Sequence, residues 1–358
     1  MNQFEKLVAY DYEQLIAFQN RETGLRGFIC IHDTSLGPAL GGCRIWKYES
    51  DDAALEDVLR LSRGMTYKAS LAGLHAGGGK AVIIHHPGLK REAAFEAFGR
   101  LVESLRGRFF TGVDVGTTAA DLAAMSRVTR YCAFESSPAL GDISQHTAIG
   151  VWHGLRACLD FSGIAGSGRK VRVAIQGLGG VGMHLALILH REGFELLVAD
   201  INPAAVKKAE TEFGARAVAP DEVLGADCDV LAPCALGAIL NAQSIPQIRA
   251  GIICGCANNQ LAAPEDGDAL ARRGILYAPD YLVNAGGLIR GADFYLSQIA
   301  DSLPNLAKIH ERTTRVLSLA RERNTSTARI ADELAESRLK PRKTYADLTW
   351  SYDLPNPA

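Results

Sequence analysis

The chain has 358 residues, 47% of them apolar and 22% charged, with a formal net charge of −2. That length favours two domains, each large enough for its own core. Near-neutral charge gives no global pull toward nucleic acid or an anionic membrane, and no apolar run approaches the length of a membrane span. No secretory leader is evident in Met1-Asn-Gln-Phe-Glu-Lys, so a cytoplasmic protein is expected. The eight cysteines lack paired CxxC spacing, and His85-His86 would face opposite ways on a strand, so reduced thiols and no metal site are expected.

Residues 24–31 read as a strand, followed by the turn-rich Gly37-Pro-Ala-Leu-Gly-Gly42. Ser50 is a candidate N-cap, with Asp51 and Asp52 favourable in a first helical turn. Leu55, Val58, Leu59 and Met65 then mark one apolar face. The glycine run Gly77-Gly-Gly79 reads as a turn, Lys80 ends it, and Ala81-Val-Ile-Ile follows as a short buried strand. Phe95, Phe98, Leu101, Val102 and Leu105 repeat helical spacing, and Arg108-Phe-Phe-Thr reads as a strand leading into Asp114. This first part is α/β.

A new pattern begins after residues 136–146, with a helix around 147–161 and the strand Val171-Arg-Val-Ala-Ile-Gln. A glycine loop, a helix to about His190 and the strand Leu196-Leu-Val-Ala-Asp200 follow. Further strands are expected at 228–232, 251–255 and 274–278. Such alternation implies a parallel, doubly wound sheet, with ligand at the carboxyl ends of its strands. A helix pair spans roughly 303–338, where Pro304 suits a first turn and Leu306, Ile309, Val316, Leu317 and Ala320 keep a face for burial. The proline-bearing tail beyond is expected to be irregular.

The loop Gly177-Leu178-Gly179-Gly180-Val181-Gly182 follows a strand and opens a helix, and Asp200 closes the next strand, which is the context the dinucleotide fingerprint requires. Gly177 would permit the tight turn, Gly179 would admit a pyrophosphate, and Gly182 would let helix pack on strand. Asp200 suits a ribose 2′-OH and no arginine follows it closely, so NAD is favoured over NADP. The segment before Lys80 is not a phosphate loop, because Leu74 and Ala81 stand where glycine and a hydroxyl would be needed. That disfavours a nucleotide hydrolase. Partial desolvation of Lys80 beside a second ammonium, Lys68, would favour a neutral amine, which suits a general base.

Seven ordered segments carry a resemblance. Gly37-Pro-Ala-Leu-Gly-Gly-Cys-Arg44, Arg63-Gly-Met-Thr-Tyr-Lys68 and Gly77-Gly-Gly-Lys80 come first, then Asp114-Val-Gly-Thr-Thr. Ala232-Pro-Cys-Ala-Leu-Gly, Ala257-Asn-Asn-Gln-Leu and Tyr277-Ala-Pro-Asp-Tyr-Leu-Val-Asn284-Ala-Gly-Gly complete the set. Together they resemble the glutamate/leucine/phenylalanine/valine dehydrogenase family, nearest its leucine, phenylalanine and valine branch. The resemblance implies an N-terminal α/β substrate domain and a Rossmann NAD-binding domain separated by a cleft. The first would span 1–135, completed by C-terminal helices at about 325–358, and the second 146–324.

It also implies reversible, NAD-linked oxidative deamination of an apolar L-amino acid to the 2-oxo acid and ammonia, in a homo-oligomer. A non-catalytic NAD-binding regulator on the same fold is the alternative. By the same resemblance Lys68 would hold the substrate carboxylate, Lys80 would activate water, and Asp114 would exchange protons with the substrate nitrogen. Thr147, Asn258, Asn259 and Asn284 would line the cofactor site, and Leu40, Gly41, Gly112, Leu288 and Gly291 the side-chain pocket. Leucine-type members tend to carry alanine where Gly112 stands and valine where Gly291 stands. Both departures enlarge the pocket, so phenylalanine or leucine is the expected substrate, with phenylalanine ahead by volume.

Overall fold

The computed structural model describes residues 3–132, 140–166, 168 and 170–339. The expected irregular tail from residue 340, and the part of the 136–146 segment before Leu140, lie outside the described residues. Contacts divide the chain into two units: residues up to Gly141 with Gly291–Gln298 and the stretch from Ala335, and Asp142–Arg290 with Ile299–Leu334.

The first unit opens with α1 (Gln3–Ala9) and a mixed sheet of β1 (Gln14–Asn20), β2 (Leu25–Asp33), β3 (Ala39–Leu40), β4 (Cys43–Trp46), β5 (Gly77–Ile84) and β6 (Phe109–Phe110). The order is β1-β2-β5-β3-β6, with β4 also on β5. β1 and β2 are antiparallel, as are β2 and β5, whereas β3 and β4 run parallel to β5. Helices α2 (Asp51–Leu71), α3 (Arg91–Ser104) and α4 (Ala119–Ser126) pack on it. Ser50 caps α2, its hydroxyl accepting from the Ala53 N–H at 3.1 Å. Leu55, Val58 and Leu59 of α2 are buried against Cys30, Val82 and Ile84 of the sheet. The last turn of α12 (Thr327–Arg338) closes onto α2, where Ser70 Oγ donates to the Ala335 carbonyl at 2.7 Å.

The glycine run is not a turn: Gly77–Gly79 are the first residues of β5. Close packing requires them there. A Cβ on Gly77 would stand 1.8 Å from the Asp33 carbonyl, and one on Gly78 2.0 Å from the Thr66 nitrogen of α2. With no side chains in the way, helix and neighbouring strand approach the β5 backbone directly.

The second unit begins with α5 (Ile143–Ser162) and holds β7 (Arg172–Gln176), α6 (Gly180–Arg191), β8 (Glu195–Ala199), α7 (Pro203–Phe213) and β9 (Arg216–Ala217). β10 (Val230–Pro233), β11 (Ile252–Ile253), α8 (Pro264–Arg272), β12 (Leu276–Tyr277) and α9 (Asp280–Val283) follow. The chain then enters α10 (Gly286–Tyr295), within which the division between units falls, and returns in α11 (Leu303–Glu322). Every pairing in this sheet is parallel. Its order, β12-β11-β10-β7-β8-β9, is the doubly wound arrangement with a switch point between β7 and β10, where ligands bind at the strands' carboxyl ends. Apart from the exposed β9, the strands are short, mostly apolar runs because both faces are covered by helices or loops.

Candidate active site and dinucleotide edge

In the first unit β5 brings Lys80 into the sheet, paired with Cys30 of β2. Its side chain is only 6% exposed, and Nζ lies 3.1 Å from Asp114 Oδ1. Asp114 sits in a loop that continues the sheet pairing beyond β6. The Cys43 N–H donates to the Gly112 carbonyl at 2.9 Å and the Ile45 N–H to the Val115 carbonyl at 3.0 Å. Thr117 closes the loop, its Oγ1 accepting from the Asp114 N–H at 2.7 Å. Gly116 takes a φ of +79°, and a Cβ there would meet the Ile45 carbonyl at 2.2 Å.

A second cation holds the other carboxylate oxygen: Arg44 Nε donates to Asp114 Oδ2 at 2.8 Å. The same guanidinium donates through Nη1 to Asp57 Oδ2 of α2 at 2.8 Å, an oxygen that also accepts from the Tyr48 hydroxyl at 2.7 Å. Burial pushes the Asp114 carboxyl up, but Lys80 and Arg44 outweigh it and hold the group below its ordinary value. The carboxylate is therefore ionised at neutral pH. Burial, with Asp57 beside it, pushes the Tyr48 phenol up, so that hydroxyl remains a donor.

The expected constellation is partly assembled. Lys80 and Asp114 meet directly, and the charge 3.1 Å from Lys80 is a carboxylate rather than a second ammonium. Lys68 lies in the last turn of α2, two residues past Thr66, whose backbone packs on Gly78 of β5. Leu40 is buried, and Gly41 faces Gly79, where a Cβ would stand 1.7 Å from the carbonyl oxygen. Gly112 accepts from Cys43 as above. Leu288 and Gly291 both lie on α10, either side of the division between units. A Cβ on Gly291 would meet nothing within 4 Å. No sequence pattern marks Arg44, Asp57 or Tyr48 as functional. Arg44 ends the Gly37–Arg44 segment, and its partners Asp57 and Asp114 lie 13 and 70 residues further along the chain.

In the second unit the glycine loop joins β7 to α6. Gly177 has a φ of +98°, and a Cβ on Gly182 would stand 2.0 Å from the Gly177 carbonyl, so helix and turn are in direct contact. A Cβ on Gly179 would meet nothing within 4 Å. Gly179 is the N-cap of α6 and provides no side-chain cap, so the first N–H groups of the helix face an open side. Asp200 follows β8; its Oδ2 accepts from the Leu178 N–H at 2.5 Å and its Oδ1 from the Asn202 N–H at 2.7 Å. Each oxygen keeps a further lone pair for a ligand hydroxyl.

The loops after β10, β11 and β12 meet at the same edge. The Ala238 N–H donates to the Asn259 carbonyl at 2.7 Å, and Asn284 Nδ2 donates to the Cys256 carbonyl at 3.0 Å and Asn258 Oδ1 at 2.9 Å. Among the described residues, Gln176 Oε1 at the end of β7 and Asn284 Oδ1 are buried without a hydrogen-bond partner. Free N–H groups at an uncapped helix start fit a phosphate, and orphaned carbonyl acceptors fit a ligand that brings amide donors. Thr147 lies near the start of α5, its hydroxyl donating to the Ile143 carbonyl at 2.9 Å, against Gly287. Gly180 and Val181 form the first turn of α6.

All eight cysteines are free. Among the described residues no three His, Cys, Asp or Glu side chains gather as a metal site, and no helix is long and apolar enough to cross a membrane.

Two family models match the chain: the Glu/Leu/Phe/Val dehydrogenase dimerisation domain over residues 13–131, and glutamate/leucine/phenylalanine/valine dehydrogenase over 195–300. The chain is 46% identical over 347 residues to leucine dehydrogenase of Geobacillus stearothermophilus, spanning 95% of this chain and 94% of that one. It is 41% identical over 341 residues to phenylalanine dehydrogenase of Caldalkalibacillus thermarum, spanning 93% and 92%. The crystal structure of L-tryptophan dehydrogenase from Nostoc punctiforme matches with a TM-score of 0.82 at 40% identity, covering 94% of this chain and 98% of that one. A two-domain α/β chain with this site belongs to the Glu/Leu/Phe/Val dehydrogenase family. It is an amino-acid dehydrogenase, an oxidoreductase dependent on a nicotinamide dinucleotide.

Proposed function

We propose that this chain catalyses the reversible oxidative deamination of a bulky apolar L-amino acid, phenylalanine or leucine, to the 2-oxo acid and ammonia, with NAD as the dinucleotide. The Lys80–Asp114 pair, 3.1 Å apart with the lysine buried, carries this reading. In the deaminating direction Asp114, already ionised, takes a proton from the substrate ammonium so that the nitrogen lone pair can drive loss of hydride from Cα. NAD, when bound, accepts that hydride. With Asp114 neutralised by the substrate's proton, Lys80 sheds its own and, as the free amine, takes one from the water that attacks the imino carbon. Asp114 returns its proton to the nitrogen, and the carbinolamine hydroxyl releases a proton as ammonia leaves and the carbonyl forms. Lys68 pairs with the substrate carboxylate.

The first unit binds the amino acid and the second the dinucleotide. Residues Gly177–Gly182 hold the pyrophosphate, Asp200 the adenosine ribose, and Thr147, Asn258, Asn259 and Asn284 the nicotinamide end. Asp200 with the exposed apolar Ile201 after it supports NAD over NADP, since neither pairs with a 2′-phosphate. Leu40, Gly41, Gly112, Leu288 and Gly291 line the side-chain pocket, and the open space at Gly291 supports a large substrate. The relatives named for leucine, phenylalanine and tryptophan support an apolar one.

A homo-oligomer built through the first unit is supported by that region's match to a dimerisation domain. A cytoplasmic location is supported by eight free thiols, which suit a reducing compartment. The test is kcat/KM for Phe, Leu, Val and Glu with NAD and with NADP. A best rate with Phe or Leu and NAD is expected; glutamate as best substrate overturns the assignment.

A further inference from the structure

We propose that Arg44 is a positioning residue for the reaction: it fixes the Asp114 carboxylate so that Oδ1 faces Lys80, and ties it through Asp57 to α2, the helix that carries Lys68. The inference rests on the catalytic reading given above for Lys80 and Asp114.

The geometry is that of a fork between two carboxylates. Arg44 Nε takes Asp114 Oδ2 and Nη1 takes Asp57 Oδ2, each at 2.8 Å. A carboxylate turns about its terminal bond between two equivalent positions, with little to choose between them. With Oδ2 committed to Arg44, that rotation is arrested and Oδ1 stays 3.1 Å from Lys80 Nζ. Arg44 is itself held, because Asp57 is fixed by the Tyr48 hydroxyl at 2.7 Å and by Arg60 at 3.3 Å. A planar guanidinium serves two acceptors at a fixed angle, whereas a lysine ammonium acts as a flexible point charge.

The groups facing Asp114 are Lys80 from β5, Arg44 and the buried Cys43 thiol from β4, with Cys132 and Asp121 bearing on that thiol. Burial, above all, pushes the Cys43 thiol well up, so the charge on Asp114 is set by its two cations. Removing one leaves the carboxylate easier to protonate.

The experiment compares wild type, Arg44→Gln and Arg44→Lys by the pH dependence of kcat and kcat/KM for phenylalanine or leucine oxidation, with circular dichroism and calorimetric melts of each protein reporting folding. Arg44→Gln is expected to lower kcat about 10- to 100-fold with a smaller change in KM. Its acid limb of kcat/KM should move up by about one pH unit or more, as expected on losing an opposite charge within hydrogen-bond reach. Arg44→Lys should restore the limb toward wild type while recovering kcat only in part. An unmoved limb in Arg44→Gln, or loss confined to KM, overturns the inference while the underlying reading stands. Should Arg44→Gln not fold, Arg44→Lys decides alone: reduced kcat with the wild-type limb supports the inference, and wild-type kcat overturns it. A wild type that forms no NADH from any amino acid overturns the reading beneath and this inference with it.

Discussion

Gly179 and Gly182 stand three residues apart in one loop, and alanine at each should fail in opposite ways. At Gly182 the new Cβ would lie 2.0 Å from the Gly177 carbonyl oxygen, short of an ordinary contact by about 1.5 Å. Backbone must shift, and overpacking of that kind costs about 1–3 kcal/mol. For a unit of this size each kcal/mol moves the melting temperature by about 2–4 °C, so Gly182→Ala should melt about 2–12 °C below wild type. At Gly179 the new Cβ meets nothing, and the backbone (φ −65°, ψ −168°) is open to alanine. The only expected penalty is replacing glycine at an N-cap, up to about 1 kcal/mol. What Gly179→Ala should lose is dinucleotide, because its methyl stands on the open side where the phosphates approach the helix start. Displacing one charge-assisted hydrogen bond is worth about 1.5–3 kcal/mol, so the NADH Kd should rise about 10- to 150-fold. Calorimetry and NADH fluorescence titration on both variants separate the effects. NADH affinity within two-fold of wild type in a folded Gly179→Ala would refute the dinucleotide role of the loop, and an unchanged melt in Gly182→Ala would refute the packing argument.

Lys80→Ala should abolish amino-acid-dependent NADH formation by about 10²- to 10⁴-fold while leaving NADH binding intact, measured by initial rates and titration; comparable rates in both proteins would exclude Lys80 as the base. Gly291→Val should fold normally, because its Cβ meets open space, and should lower the ratio of kcat/KM for Phe over Leu by about ten-fold or more. A substrate panel checks it, and an unchanged ratio would remove Gly291 from the pocket. Arg329 first, then Ser326, hold the Asp268 carboxyl down at about 2. A depressed carboxyl stabilises above its unfolded value near 4 and loses that contribution as pH falls toward 2. Asp268→Asn should therefore flatten the fall in melting temperature between about pH 4 and 2, and an unchanged slope would show the pair contributes nothing.

Much of the second unit was legible because its strands are buried on both faces and read as apolar runs bounded by turns. β9 escaped notice: it is two residues long and both are exposed, so no hydrophobic pattern marks it. β1 escaped for a related reason. Among the described residues it is an edge strand pairing only with β2, and its sequence, Gln-Leu-Ile-Ala-Phe-Gln-Asn, has polar ends and partial burial. β3 was hidden inside the glycine-rich segment at 37–42, where local propensity argues for a turn. Its two residues form a strand through partners on either side, β5 and β6, which no local window contains.

The same limit governs the site. Residue type and family resemblance named Lys80 and Asp114, but what makes them a pair is backbone proximity, and that is encoded in the glycines. A Cβ on Gly42 would stand 2.3 Å from the Val113 carbonyl and 3.0 Å from Asp114 Cβ, so any side chain there would push the Asp114 loop outward. A Cβ on Gly41 would strike the Gly79 carbonyl at 1.7 Å, and one on Gly79 the Phe109 ring at 2.9 Å. Glycine at 41, 42 and 79 therefore serves one purpose from three directions, bringing β5 and the Asp114 loop within hydrogen-bond reach. A turn reading of Gly77–Gly79 accounts for the residue type but not for the lysine that follows. As the start of a strand, the run explains why Lys80 comes next: the backbone that must be bare for close packing ends where the side chain must meet Asp114.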